Sequence, residues 1–162
     1  MFYTALGTSG LKVSRLCFGS LTVGPLQAGL STDRGSEIIR RALELGVNFI
    51  DTAQCYNTYP YIRRALKGWP SEVVVASKSY DYTWEGMAES LEEARRGMDR
   101  EVVDIFLLHQ QETAQTIAGH RPALEYLLDA KAKGLIRAVG ISTHAVAAAL
   151  TAAAMPEVDI IH

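Results

Sequence analysis

The chain has 162 residues, which is within the size of one domain and long enough to bury a sizeable core. Its composition, 48% hydrophobic and 21% charged with a formal net charge of −2, is that of an ordinary globular protein and offers no electrostatic basis for binding nucleic acid. The longest apolar stretch, at residues 145–155, is shorter than the ~20 residues of a membrane span, and the N-terminus lacks a signal-peptide pattern, so we expect a cytoplasmic protein without a membrane partner.

The first third of the chain predicts a hairpin, a strand and a helix. Two short apolar segments flank a glycine-containing turn at residues 7–10, which indicates a β-hairpin. Residues 16–19 predict the first strand of a parallel sheet. After a loop with glycine and proline, Ser31 or Thr32 can cap a helix that Gly46 ends. The residues expected on the buried face of this helix are Ile38, Ile39, Ala42 and Leu45.

Strands and helices then alternate to the last residue. Strands are predicted at residues 47–51, 73–78, 104–109, 136–142 and 158–161, because each is a short apolar run bounded by polar residues, glycine or proline. Helices are predicted at residues 61–68, on the face formed by Met87, Leu91, Ala94 and Met98, at residues 122–134, and in the alanine-rich segment that ends at Met155.

This alternation, without a repeat or a linker, predicts a single α/β domain over residues 1–162. The GxGxxG sequence of a doubly wound dinucleotide-binding fold is absent, so a (β/α)8 TIM barrel is the favoured fold. A whole barrel has eight βα units in ~250 residues. We therefore expect an incomplete, truncated barrel with about six strands and an N-terminal hairpin.

Three of the predicted strands end in an ionisable side chain. Asp51, Lys78 and His109 are 27 and 31 residues apart, close to the ~30 residues of one strand-helix-strand unit. Tyr56 follows Asp51 by five positions. Because barrel active sites form at the C-terminal ends of the strands, we expect the four side chains to meet there. Each alone has an ordinary structural explanation, such as a cap or a core histidine, so the prediction depends on the set.

The two cysteines are expected to be reduced thiols. Cys17 and Cys55 are too few for a disulfide framework and lack the spacing of a Cys-x-x-Cys site, so no metal site is predicted. Cys55 lies beside Tyr56, but nothing near it in the sequence indicates an activated thiol.

The four ionisable residues and the order of the elements resemble the aldo-keto reductase superfamily. The segments SRLCFGS, GVNFIDTA, IFLLH and GLIRAVGIS are also similar to this superfamily, and the whole is most similar to members that carry a C-terminal ferredoxin-like iron–sulfur extension. The resemblance implies NADPH as the cofactor and a small-molecule aldehyde or ketone as the substrate.

The resemblance and the residues imply the same roles. Tyr56 is the expected general acid, and His109 is expected to orient the substrate carbonyl by a hydrogen bond while hydride arrives from a nicotinamide. The ammonium of Lys78, held by Asp51, is expected to lower the pKa of the Tyr56 phenol from its ordinary value of about 10.

The resemblance also places cofactor contacts at Gly19 and Ser20, at Asp51, and at Ser142 and Thr143. The last two match a pair that holds the nicotinamide carboxamide, in which asparagine is usual at the second place. The family's phosphate contacts lie mainly on strands seven and eight, which predicts weak binding of NADPH by this chain. Two further departures are Asn57, where glycine commonly follows the tyrosine, and His162, where relatives often have glutamine.

Two other functions remain open from the sequence. One is a barrel aldolase that uses Lys78 as a Schiff-base amine, although such an amine has to be neutral and Asp51 opposes this. The other is a non-catalytic binding or regulatory module that kept the fold. In either case, an incomplete barrel predicts two unpaired edge strands and an exposed apolar inner face, and therefore self-association or a companion C-terminal segment.

Overall fold

A computed structural model describes all 162 residues, and it begins with a two-stranded sheet. Strands β1 (Tyr3–Ala5) and β2 (Lys12–Ser14) pair in antiparallel orientation, with Thr4 opposite Val13. Gly7 and Gly10 both have positive φ angles in the turn, a conformation that glycine adopts at little cost. The predicted hairpin is confirmed.

Six parallel strands form the second sheet, and they are hydrogen-bonded to one another in the order in which they occur along the chain. A parallel sheet in sequence order with helical crossovers is the arrangement of a TIM barrel. The sheet is a curled, incomplete barrel, as predicted. Its strands are β3 (Phe18–Gly19), β4 (Phe49–Asp51), β5 (Val74–Ser79), β6 (Val103–Leu108), β7 (Ile136–Ile141) and β8 (Ile160–Ile161).

The helices cover the outer face of this sheet. The predicted face of the third helix is confirmed, because Met87, Leu91, Ala94 and Met98 are all buried. None of the helices has the length and hydropathy needed to cross a membrane. They are α1 (Thr32–Glu44), α2 (Tyr59–Leu66), α3 (Trp84–Met98), α4 (Ala114–Gly119), α5 (Arg121–Ala132) and α6 (Val146–Ala153).

Three details differ from the sequence prediction. Leu45 is 60% exposed because it follows the last residue of α1, and Leu43 is buried in its place. Leu16 is exposed, and β3 begins only at Phe18. Helix α4 was not predicted, since its six residues are too few to show a helical period; a hydroxyl cap from Thr113 to the backbone of Thr116 starts it.

The predicted exposure of the inner face is wrong for the central strands. Ala76, Ile105 and Leu107 point into the barrel and are nevertheless buried. Leu11 and Val13 of the hairpin segment pack against them and close the bottom of the barrel. The hairpin thus supplies the inner cover that a parallel sheet requires.

Exposed apolar side chains lie beside both edges of the sheet, as well as at the N-terminus and on the loop after β5. Beside β3, the exposed side chains are Leu16 and Leu45. At the opposite edge, Ile161 of β8 and the neighbouring helix residues Val146 and Leu150 are exposed. We call these two groups the β3 edge and the β8 edge.

Candidate active site

An ion pair between neighbouring strands lies at the C-terminal end of the barrel. Asp51 ends β4 and Lys78 lies near the end of β5, so their side chains meet. The Lys78 Nζ atom donates to Asp51 Oδ1 at 2.6 Å and to the carbonyl oxygen of Thr52 at 2.7 Å. The Lys78 side chain is 2% exposed and that of Asp51 is 14% exposed. Removal of an ammonium from water is costly, and these two acceptors compensate for it.

Tyr56 lies beside this ion pair, at the end of a short 3-10 helix (Gln54–Tyr56). The Nζ atom of Lys78 is 5.2 Å from the centroid of the Tyr56 ring. The ring centroid of His109 is 5.9 Å away, with the two rings edge to face at 79°. The half-buried Tyr56 makes no hydrogen bond to another protein group through its hydroxyl, so that hydroxyl is available to a substrate oxygen.

The expected lowering of the Tyr56 pKa is wrong. Burial, followed by the negative charge of Asp51, raises the pKa of Tyr56 to about 12. The ammonium of Lys78, 5.2 Å from the centroid of the ring, does not outweigh these two effects. At neutral pH Tyr56 is therefore a protonated phenol, which is the form that a proton donor needs.

Hydrogen bonds from Gln54 fix one side of the turn that carries Tyr56. The Gln54 Oε1 atom accepts from the hydroxyl of Ser79 at 2.8 Å, and its Nε2 donates to Glu93 of α3 at 2.6 Å. The turn is thereby attached both to the end of β5 and to a helix. These contacts link the position of the phenol to the rigid part of the fold.

Three buried hydroxyl groups fix the other side of the turn. Thr58 Oγ1 is 2.8 Å from both Ser20 Oγ and Thr52 Oγ1, and none of the three residues is exposed. The side chain of Ser20, which the resemblance places near the cofactor, is therefore engaged with the fold. Gly19 beside it is exposed, and a Cβ atom there would meet no other atom within 4 Å.

His109 follows β6 and is 7% exposed. Its Nδ1 atom is 3.9 Å from the Sγ of Cys55, and its Nε2 has no hydrogen-bond partner in the protein. Tyr80 stacks on the imidazole, with the ring centroids 4.2 Å apart and the planes at 21°. Burial, and then the positive charge of Lys78, lower the pKa of His109 to about 4, so the ring is neutral at pH 7.

We expect His109 to remain neutral down to about pH 4 in a histidine-resolved NMR titration, against about 6.5 in the unfolded chain. Because the unfolded state takes up this proton first, the contribution of His109 to the free energy of unfolding is present above about pH 6.5. It is lost as the pH falls through that window towards about 4. A midpoint near 6.5 in the folded chain would contradict the burial argument.

The rim beyond β7 carries the two residues expected at the nicotinamide carboxamide. Ser142 Oγ accepts from the backbone N–H of Gln110 at 2.8 Å, which leaves its own proton available to a ligand. Thr143 Oγ1 accepts from the N–H of Ala145 at 2.9 Å and so caps a turn. The N–H of Thr143 donates to the carbonyl oxygen of His162 at 2.9 Å.

These groups fit the nicotinamide end of a dinucleotide better than its phosphate end. The space in front of Gly19 is open, and Gly19 lies opposite Asp51 in the β3–β4 register. His162 Nε2 lies 3.9 Å from Asp51 Oδ1, so β8 and β4 face each other across the mouth. Lys78 is the only lysine or arginine at the C-terminal ends of the parallel strands, and it is already paired with Asp51.

The sequence did not indicate Tyr80, Cys55 or Gln54 as parts of this site. Tyr80 stands two positions after Lys78, where a strand-end position was the only available signal. The contact between Cys55 and His109 joins residues 54 positions apart and has no sequence signal at all.

A buried ion pair, a phenol and an imidazole at the C-terminal ends of parallel strands are typical of a TIM-barrel enzyme site. The model of the Aldo/keto reductase family matches residues 15–162. The chain belongs to this family.

Individual relatives agree with the family match. The chain is 30% identical over 153 residues to the L-galactose dehydrogenase of Arabidopsis thaliana, covering 85% of this chain and 47% of that protein. It is 26% identical over 163 residues to the aldo-keto reductase YhdN of Bacillus subtilis (strain 168), covering 90% and 48%. The solved holo form of the aldo-keto reductase AKR11C1 from Bacillus halodurans is 28% identical with a TM-score of 0.74, covering 89% and 51%. The chain spans about half the length of the curated relatives it matches.

Proposed function

We propose that this chain carries the catalytic residues of an NADP(H)-dependent aldo-keto reductase that reduces an aldehyde or ketone to an alcohol. The observation that carries the proposal is the grouping of Tyr56, His109 and the Asp51–Lys78 ion pair on the family's fold. NADPH, when bound, supplies the hydride for this reaction. The residues that would hold its nicotinamide end are Gly19, Asp51, Ser142 and Thr143, and Ser20, whose buried hydroxyl is hydrogen-bonded to Thr58, would fix the backbone beside Gly19.

The protein's own groups supply the proton and the orientation. The Nε2–H of neutral His109 donates a hydrogen bond to the carbonyl oxygen and polarises it. As the carbonyl carbon takes the hydride, its oxygen takes the proton of the Tyr56 hydroxyl, and the alcohol forms. The remaining phenolate of Tyr56 lies close to the ammonium of Lys78 and recovers its proton from solvent.

The surroundings of Lys78 oppose the aldolase alternative. A Schiff-base amine has to reach a substrate carbonyl, but the side chain of Lys78 is 2% exposed and its Nζ atom already donates to Asp51 at 2.6 Å and to the carbonyl oxygen of Thr52 at 2.7 Å. Borohydride trapping with a carbonyl substrate tests this directly: a covalent adduct on Lys78 would favour the aldolase.

Turnover of a carbonyl substrate distinguishes a reductase from a non-catalytic module. The experiment compares wild type with Tyr56→Phe on a panel of aldehydes. Both are assayed as the 162-residue chain and in a completed form, in which the chain is joined to the C-terminal βα units of a homologous reductase. NADPH-dependent reduction that the substitution abolishes supports the proposal. Nucleotide binding without reduction in the completed form would favour the non-catalytic module.

We expect the 162-residue chain alone to bind NADPH weakly or not at all. The residues at the strand ends fit the nicotinamide, but no unpaired cation stands at those ends to receive the phosphates. Isothermal calorimetry is the measurement, with the completed form as the positive control. A micromolar dissociation constant for the chain alone would contradict this prediction.

We also propose that the β3 and β8 edges associate with another polypeptide, either a second copy or a companion segment that supplies further strands. Light scattering with mass spectrometry is expected to give a mass above that of a 17.7 kDa monomer. Ile161→Lys should weaken the association, whereas Tyr82→Lys, on a loop after a central strand, should not. A monodisperse monomer with cooperative unfolding and no companion peptide would overturn this proposal.

A further inference from the structure

Besides Tyr56, the imidazole of His109 contacts side chains that have no place in the proton and hydride chemistry. His109 donates its backbone N–H to the carbonyl oxygen of Ser79 at 2.9 Å, and Ser79 lies opposite Leu108 in the β5–β6 register. The next residue after β5, Tyr80, is therefore set directly beside His109. This register is the structural reason for the stacked pair.

The stack covers one face of the imidazole. The centroids lie 4.2 Å apart with nearly parallel planes, which is within the range of favourable aromatic contact. Tyr80 is 51% exposed, so its position does not follow from burial in the core. A specific contact is needed to hold it over His109.

Gln110 provides that contact. Its Oε1 atom accepts a hydrogen bond from the Tyr80 hydroxyl at 2.5 Å. Gln110 has a φ of 51°, in the left-handed region that a glutamine rarely adopts, and its N–H donates to the hydroxyl of Ser142 at 2.8 Å. Strained backbone of this kind persists where the surroundings over-determine it, commonly at functional sites.

Cys55 faces the edge of the same ring. Its Sγ is 3.9 Å from Nδ1, whereas Nε2 has no protein partner and is not fully buried. Burial raises the pKa of the Cys55 thiol, so the thiol keeps its proton and can donate to Nδ1. A proton on Nε2 is then the consistent tautomer.

We propose that Tyr80 and Gln110 clamp the plane of the His109 imidazole and that Cys55 selects its Nε2–H tautomer. These are positioning residues, and the inference rests on the proposed carbonyl reduction, in which Nε2–H binds the substrate oxygen. Together they present a neutral, oriented hydrogen-bond donor before the substrate arrives, so that no reorientation is needed during the reaction.

The clamp is tested on the 162-residue chain by NMR of its histidine side chains, which requires no activity. In the wild type, the ring protons of His109 should be shifted by the Tyr80 ring. Tyr80→Ala should abolish that shift, and Tyr80→Phe should keep part of it. Tyr82→Ala is the matched control: Tyr82 is on the same loop but contacts His120, at 6.0 Å between ring centroids. Unchanged His109 signals in Tyr80→Ala, or equal changes in Tyr82→Ala, would overturn the clamp.

The tautomer is read from the nitrogen shifts of the same ring. Wild type and Cys55→Ser should show a proton on Nε2, Cys55→Ala should show a mixture, and Cys17→Ala should match wild type. An Nδ1–H tautomer in the wild type, or no change in Cys55→Ala, would overturn the role of Cys55.

Turnover of the completed form separates this inference from the proposed function. Tyr80→Ala should lower kcat by up to about 10²-fold, with a smaller change in KM, and Tyr80→Phe should recover most of the loss. If reduction occurs but Tyr80→Ala leaves kcat unchanged, the clamp has no positioning role. If the NMR results hold and no variant reduces any carbonyl, the proposed function fails and the ring geometry stands.

Discussion

Tyr56→Phe should lower the rate of carbonyl reduction by on the order of 10²- to 10⁴-fold while leaving nucleotide affinity nearly unchanged, because it removes a single proton donor and keeps the ring. The ring of Tyr56 contributes to packing between Lys78 and His109, and phenylalanine preserves that packing. The completed form, assayed by loss of NADPH absorbance, is the measurement.

The pH dependence of carbonyl reduction provides a second test of Tyr56 as the acid. Since burial and Asp51 raise the pKa of Tyr56 to about 12, the phenol should remain a competent acid across the neutral and moderately alkaline range. A fall in reduction between pH 7 and 9 in the wild type would therefore have to come from another group. Tyr82→Phe, which removes an exposed hydroxyl of the same kind, is the control. A Tyr56→Phe rate within a few-fold of wild type would exclude Tyr56 as the acid.

The sequence predicted the positions of the main strands because each one is a short apolar run with a polar end. The runs at residues 73–78 and 104–109 correspond closely to β5 and β6, which are buried along their whole length. Since parallel strands align their C-terminal ends, the same reading placed Lys78 and His109 at a common rim. The fold class and the candidate site thus depended on local pattern and on one general rule of barrel geometry.

Other features depended on long-range packing and could not be predicted. The hairpin residues Leu11 and Val13 are apolar in the sequence, but only the folded chain shows that they cover the inner faces of Ile105 and Leu107. The direction of the Tyr56 pKa shift likewise depends on the balance of burial, carboxylate and ammonium, a balance set by distances.

The ion pair yields the second large expected effect. Lys78→Met should lower the free energy of unfolding by about 3–5 kcal/mol, because it leaves the mostly buried carboxylate of Asp51 without its partner. Asp51→Asn should lower the free energy of unfolding by at least as much. It leaves the ammonium of Lys78 without a charged partner, and that side chain is only 2% exposed, against 14% for the side chain of Asp51. Urea unfolding followed by circular dichroism is the measurement for both.

The decisive comparison is the double variant Asp51→Leu/Lys78→Met. Replacing a buried ion pair by apolar side chains of similar volume is often neutral or stabilising, so the double variant should recover most of the stability that each single variant loses. It should nevertheless fail to reduce carbonyls, because no ammonium remains beside the phenolate of Tyr56. A double variant as unstable as the two single losses combined would show that the pair is needed for the fold itself. Recovery of stability without activity would show that the buried charges are retained for chemistry.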